Sequence, residues 1–202
     1  MALKTTFKGE EILHRLLWQI VEEEAERASQ DERNWFRPTL VAMVFASHTV
    51  EAYLNAVGER LASDIWKDER NYFKKVPYRG WEGKLRKVTE LVGLSWTPAD
   101  RPLKTVLELK DLRDLIAHGK PEKLVGEVVH SETTDAFPPL STIRQMVTLK
   151  EKLENVLSDV PQLLTEIHSL ARPKLKAPDI WFGTHPLRGP SEYSVHSTTL
   201  GV

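Results

Sequence analysis

Residues 38 to 63 carry apolar side chains on nearly every side of a helical wheel: Leu40, Val41, Met43, Val44, Phe45, Val50, Tyr53, Leu54 and Val57. Pro38 opens the run, at home in a first helical turn, where the N–H it lacks would have no intrahelical acceptor. A helix that is apolar all round has to be covered all round. Whatever this chain folds into, its other elements must wrap this one.

The remaining patterns supply the wrapping. Residues 10 to 29 place Ile12, Leu13, Leu16, Leu17, Ile20 and Val21 on one face, the i, i+1, i+4, i+5 spacing of an amphipathic helix. The acidic run Glu22, Glu23, Glu24, Glu26 lies on its wet side. Residues 64 to 80 read as a long connection or an irregular helix. A shorter helix follows over 81–92, with Leu85, Val88, Leu91 and Val92, and stops at Gly93. Another spans about 103–118, and a long one about 140–171 contains Pro161, which should kink or divide it. Leu124 to His130 fits a short strand or an extended loop. From Arg172 the chain turns rich in Pro and Gly, as an arm or a mobile tail would be. The expected fold is all-α: an up-and-down bundle of about five helices over residues 1–171, with an irregular C-terminal arm over 172–202.

Composition narrows the functional classes. The chain has 202 residues, a formal net charge of −1 and no cysteine. Near-neutral charge argues against a protein coated in basic surface for long duplexes. The lack of thiols removes disulfides and sulfur-based zinc sites, and suits a reducing cytoplasm. Residues 1–9 lack the apolar run of a signal peptide, and no stretch approaches the ~20 consecutive apolar residues of a membrane span. The expectation is a soluble cytoplasmic protein without a membrane partner. His14, His130, His168, His185 and His196 show no His-x-x-x-His spacing and no Gly-rich loop is present, so neither a metal nor a cofactor is expected.

The chemistry-bearing stretch is Leu109-Lys110-Asp111-Leu112-Arg113-Asp114-Leu115-Ile116-Ala117-His118-Gly119-Lys120. Arginine stabilises charge on phosphorus and histidine moves protons near neutral pH, which together suit cleavage of RNA without a metal. On a wheel of 100° per residue Arg113 falls within about 40° of Leu109 and beside Val106, inside the apolar arc. A guanidinium placed there needs a charged partner. Asp114 and His118, four apart, share a face, so the carboxylate is positioned to orient the imidazole. Arg113 and His118 lie about 140° apart on the wheel; a distorted helix end or a second copy across a two-fold axis would bring them together.

The central helix offers the partner. Ser47, His48, Glu51 and Asn55 fall within about a 100° arc. They form either a polar seam that fixes helix register or a set in which Glu51 keeps Arg113 charged, with Asn55 beside it. Further along, Arg70, Lys74, Lys75, Arg79, Lys84, Arg86 and Lys87 are interleaved with Tyr72, Phe73, Tyr78 and Trp81. That segment is either a solvated face with its aromatics in the core or a surface for single-stranded RNA, through phosphate contacts and base stacking.

Arg113 and His118, with four residues between them near the end of a late helix, resemble the hallmark of the HEPN superfamily, Arg-x4-6-His. Leu109-x-x-Leu112-Arg113 and Ala117-His118-Gly119 are similar to its surrounding pattern. The stretch Phe45 to Asn55 resembles its earlier helix, often of the form "xxExxLN". The resemblance covers roughly residues 10–170. It implies a metal-independent endoribonuclease, homodimeric, with Arg113 and His118 meeting at the interface, and a role as a toxin or defence factor, with a cognate antitoxin in the toxin case. It further implies that His118 transfers the proton, Arg113 holds the scissile phosphate and Asp114 orients His118, while Glu51 and Asn55 support them. Lys74, Lys75, Arg79, Lys120 and Lys123 are the candidate RNA contacts. Because many members of that superfamily are noncatalytic, a helical RNA-binding or protein-interaction module is the alternative.

Overall fold

The computed structural model describes residues 4–31, 33–95, 97–125, 140–148, 150–175 and 182–199. The fold is all-α, with substantial helices α1 (Leu13–Gln30), α2 (Phe36–Leu61), α5 (Gly80–Val92), α6 (Leu103–Ala117) and α8 (Lys150–Ala171). Short helices α3 (Ser63–Lys67), α4 (Glu69–Tyr72) and α7 (Thr142–Val147) fill the connections. The apolar helix is the axis: α2 packs against α1, α5, α6 and α8. By length and hydropathy α2 could cross a membrane, but here its Ala42, Ala46, Val50, Leu54 and Val57 are fully buried by neighbouring helices.

Two close approaches lock the connection after α2. Trp66 from α3 lies so tightly on α2 that a Cβ on Gly58 would sit 2.0 Å from its indole. Phe73 meets that indole edge to face at 5.1 Å between ring centres. Gly93, at φ 80°, ends α5 in the left-handed conformation that a glycine at a helix stop favours.

The helix expected over 140–171 breaks at Thr148, not at Pro161. Thr148 directs both its backbone N–H and its hydroxyl to the Arg144 carbonyl. α8 then runs on through Pro161, because Val160, Leu163, Leu164 and Ile167 are all fully buried around it and their packing outweighs one missing backbone bond. The extended element read over 124–130 lies, from Gly126 onward, outside the described residues.

The chain ends are more ordered than their composition suggests. Lys4–Glu11 (β1) pairs antiparallel with Glu192–Thr199 (β2), from Lys4 opposite Thr199 to Glu11 opposite Glu192. Just inside this ribbon the C-terminal arm docks on the bundle. Arg15, 1% exposed, donates to the carbonyls of Phe182, His185 and Pro190. The Phe182 ring stacks on His168 at 4.3 Å, and the Tyr53 hydroxyl lies 3.1 Å from His168 Nδ1. Arg188 reaches Glu22 in the acidic run of α1 at 2.7 Å.

Candidate RNA-cleavage site

α6 enters the bundle with Val106, Leu109 and Leu112 against the core. Its last turn emerges from it, so Ile116, Ala117 and His118 are exposed. Arg113 lies at this transition, its side chain 24% exposed and turned toward α2. There its Nη2 donates to Glu51 Oε2 at 2.5 Å, across 62 residues of sequence. Nη1 donates to Asp114 Oδ1 at 2.7 Å. The pairing of Glu51 with Arg113, one of two readings of the polar arc on α2, is therefore present.

A continuous run of charges surrounds the pair. Glu51 also receives Lys84 of α5 at 3.1 Å, and Lys84, buried, reaches Glu69 of α4 at 2.5 Å. On the other side Asp114 receives Lys110 at 3.4 Å, and Lys110 contacts Glu82 at 3.1 Å and Asp111 at 3.2 Å. Burial alone would raise the Glu51 carboxyl, but Lys84 and Arg113 overcome it and hold it below its ordinary value. Burial likewise works on Asp114 and is outweighed by Arg113 and Lys110, which hold that carboxyl low. For Arg113 burial disfavours the charge, yet Asp114 and Glu51 leave it more firmly protonated than usual. The hydrogen bond to Glu82, working against burial, does the same for Lys110.

Two expected contacts take another form. The spacing assigns Asp114 to orient His118, but its carboxylate faces Arg113 and Lys110, and among the described residues the His118 ring has no hydrogen-bond partner. The physical reason is competition: two cations lie within reach of Asp114, whereas His118 stands at the helix cap, at φ −116° and ψ 17°. Among the described residues Asn55 makes no hydrogen bond with Arg113. It accepts from Trp66 Nε1 at 3.3 Å and so helps seat α3. Lys84 and Lys110 join the site without having been expected there. The i, i+4 spacing of Lys110 and Asp114 is the sequence signal for one; nothing local marks Lys84, which reaches Glu51 from another helix.

The basic segment divides in the same way. Phe73 and Trp81 are core residues. Tyr78 stacks on Tyr72 at 5.6 Å, with Lys87 at 4.9 Å from its ring and its hydroxyl on Glu90 at 2.6 Å. These aromatics are engaged within the protein, so base stacking on them has no support. Lys74, Lys75 and Arg79 are exposed, as are Lys120 and Lys123 beyond His118. Glu122 fixes that last stretch by accepting from the Thr142 backbone N–H and hydroxyl, each at 2.9 Å.

Among the described residues no cluster of His, Asp and Glu could hold a metal ion. An apolar recess of about 420 Å³ near Ala25, Trp35, Leu153 and Leu157 includes none of the residues above. The chain matches no family model, no curated protein and no solved structure.

Proposed function

We propose that this protein is a HEPN-like, metal-independent endoribonuclease of single-stranded RNA, acting as a homodimer in a toxin or defence role. The observation that carries the reading is the half-buried Arg113, gripped by Glu51 and Asp114 little more than a turn before an exposed His118. A guanidinium has five N–H donors, and the two carboxylate bonds leave the others to face a phosphate. Glu51 and Asp114 fix its plane, so little orientation is lost on binding. The ring of His118, free of internal partners among the described residues, is open to solvent and substrate.

In the reaction His118 accepts the proton of the ribose 2′-OH, or its protonated form donates to the departing 5′-oxygen. The 2′-oxygen attacks phosphorus, the P–O5′ bond breaks, and the strand ends in a 2′,3′-cyclic phosphate and a 5′-hydroxyl. Arg113 stabilises the charge gathering on the phosphoryl oxygens. DNA, without a 2′-OH, is not cut. Lys74, Lys75, Arg79, Lys120 and Lys123 hold flanking phosphates. Ile116 and Leu124, 38% and 48% exposed and on either side of His118 in the sequence, offer apolar surface to a second copy.

The test is incubation of single-stranded RNA with wild type and with His118→Ala in EDTA. Cutting by wild type that the variant loses supports the reading; RNA left intact by wild type overturns it. One observation favours a second reading, a noncatalytic RNA-binding or protein-interaction module: Asp114 is committed to Arg113 and Lys110 and leaves His118 without an orienting carboxylate. RNA bound but uncut is its signature.

A further inference from the structure

Beside the Arg113 cluster, a groove of about 610 Å³ lies between α5 and the first half of α6. Leu103 and Leu107 form part of its apolar floor, while Arg79, Glu82, Arg86 and Thr89 are among its polar lining. The charges at its rim are unequal. Glu82 is occupied by Lys110 at 3.1 Å. Arg79 has no ion-pair partner among the described residues, and Arg86 is 59% exposed with only Glu90, at 3.2 Å, on its Nε. The groove therefore presents cations above an apolar floor, which suits an anion carrying a flat, weakly polar body.

Its direction links it to the site. On the wheel of α6 Leu103, Leu107, Asp114 and His118 fall within about a 60° arc, and Leu107 precedes His118 by roughly 16 Å of helix rise. Lys110 bridges the two regions, touching Glu82 at the groove and Asp114 beside Arg113. One face of one helix thus runs from the groove to His118, over a length that a few nucleotides of extended strand would cover.

We propose that this groove is a nucleotide subsite for the RNA strand flanking the scissile phosphate. Arg79 and Arg86 take a phosphate, the Leu103–Leu107 floor lies under the base, and the Thr89 hydroxyl lies within the polar lining. The inference rests on the RNA-cleavage reading of Arg113 and His118 and adds where the rest of the strand goes.

The test uses full-length protein carrying His118→Ala, so that RNA stays whole, with labelled di- and hexauridylate measured by fluorescence anisotropy. The hexamer is expected to bind about tenfold tighter than the dimer, from added phosphate and base contacts. Thr89→Trp, which fills the groove, should erase that advantage and leave dimer affinity unchanged. Arg86→Gln, at an exposed position that does not put folding at risk, should reduce it in the same way. A hexamer advantage that survives in both variants overturns the subsite while the cleavage reading stands. Failure of both oligonucleotides to bind overturns the two together.

Discussion

Glu51 holds the site together, and its loss has a calculable cost. Glu51→Gln keeps the shape of the side chain but removes the charge shared by Arg113 at 2.5 Å and Lys84 at 3.1 Å. Breaking a fully buried ion pair costs about 3–5 kcal/mol, and breaking an exposed one about 0–1 kcal/mol. Glu51 lies between these limits, with its side chain 24% exposed. Each cation also keeps a second carboxylate, Asp114 at 2.7 Å for Arg113 and Glu69 at 2.5 Å for Lys84. The expected loss is therefore about 2 kcal/mol, which for a chain of this size lowers Tm by roughly 4–8 °C. Urea denaturation measures it: the midpoint should fall at constant slope, since the same surface is exposed on unfolding. A double-mutant cycle with Arg113→Gln should return a coupling of about 1 kcal/mol or more. A loss within about 0.5 kcal/mol, the range of an ordinary surface change, or a coupling near zero, would refute the claim that this pair anchors α6 to α2.

Gly58→Ala should destabilise by about 1–3 kcal/mol, the cost of overpacking, because its Cβ would fall 2.0 Å from the Trp66 ring; thermal unfolding that leaves Tm unchanged would contradict that packing. Replacing Lys74, Lys75 and Arg79 with Gln should weaken binding of single-stranded RNA and flatten its dependence on log salt by about 2, at roughly 0.7 for each phosphate no longer neutralised; an unaltered slope would remove these residues from the RNA path. Stability should also fall with acid through the docked arm. Burial first, and nearby arginines second, push His14 down to about 3, and burial pushes His168 down to about 4, both from 6.5. Both are neutral in the folded protein while the unfolded chain takes up protons below its ordinary value, so their stabilisation is complete above pH 6.5 and is lost as pH falls toward 4 for His168 and toward 3 for His14. For His168 this amounts to at most roughly 3 kcal/mol. Urea midpoints between about pH 7 and about pH 4.5 should drop in wild type and by about half as much in His168→Gln, where His14 still titrates, and equal slopes would refute the assignment.

What the sequence makes legible follows from how far its signals reach. The central helix is readable because apolarity on every side admits only one placement. The Glu51–Arg113 contact is readable because an arginine in an apolar arc demands a carboxylate, and the neighbouring helix has one facing it. The Asp114–His118 contact misleads, since a wheel counts neighbours on one face and ignores stronger competitors, here Arg113 and Lys110. Asn55 has the right arc, but Trp66 returning over Gly58 claims its side chain. The β1–β2 ribbon joins segments at opposite ends of the chain and has no local mark. The docking of the arm depends on Arg15, whose burial against three distant carbonyls cannot be seen in the pattern of α1.

The central claim is that His118 and Arg113 drive the ribose 2′-hydroxyl onto the adjacent phosphorus. Its most direct measurement is the chemistry of the new strand ends, read by mass spectrometry after digestion in EDTA of an RNA oligonucleotide and of the same sequence with 2′-deoxyriboses. The account predicts 2′,3′-cyclic phosphate and 5′-hydroxyl ends from the RNA alone, and none with His118→Ala. Cutting of the deoxy substrate, 5′-phosphate ends, or cyclic phosphate still produced by His118→Ala would contradict it.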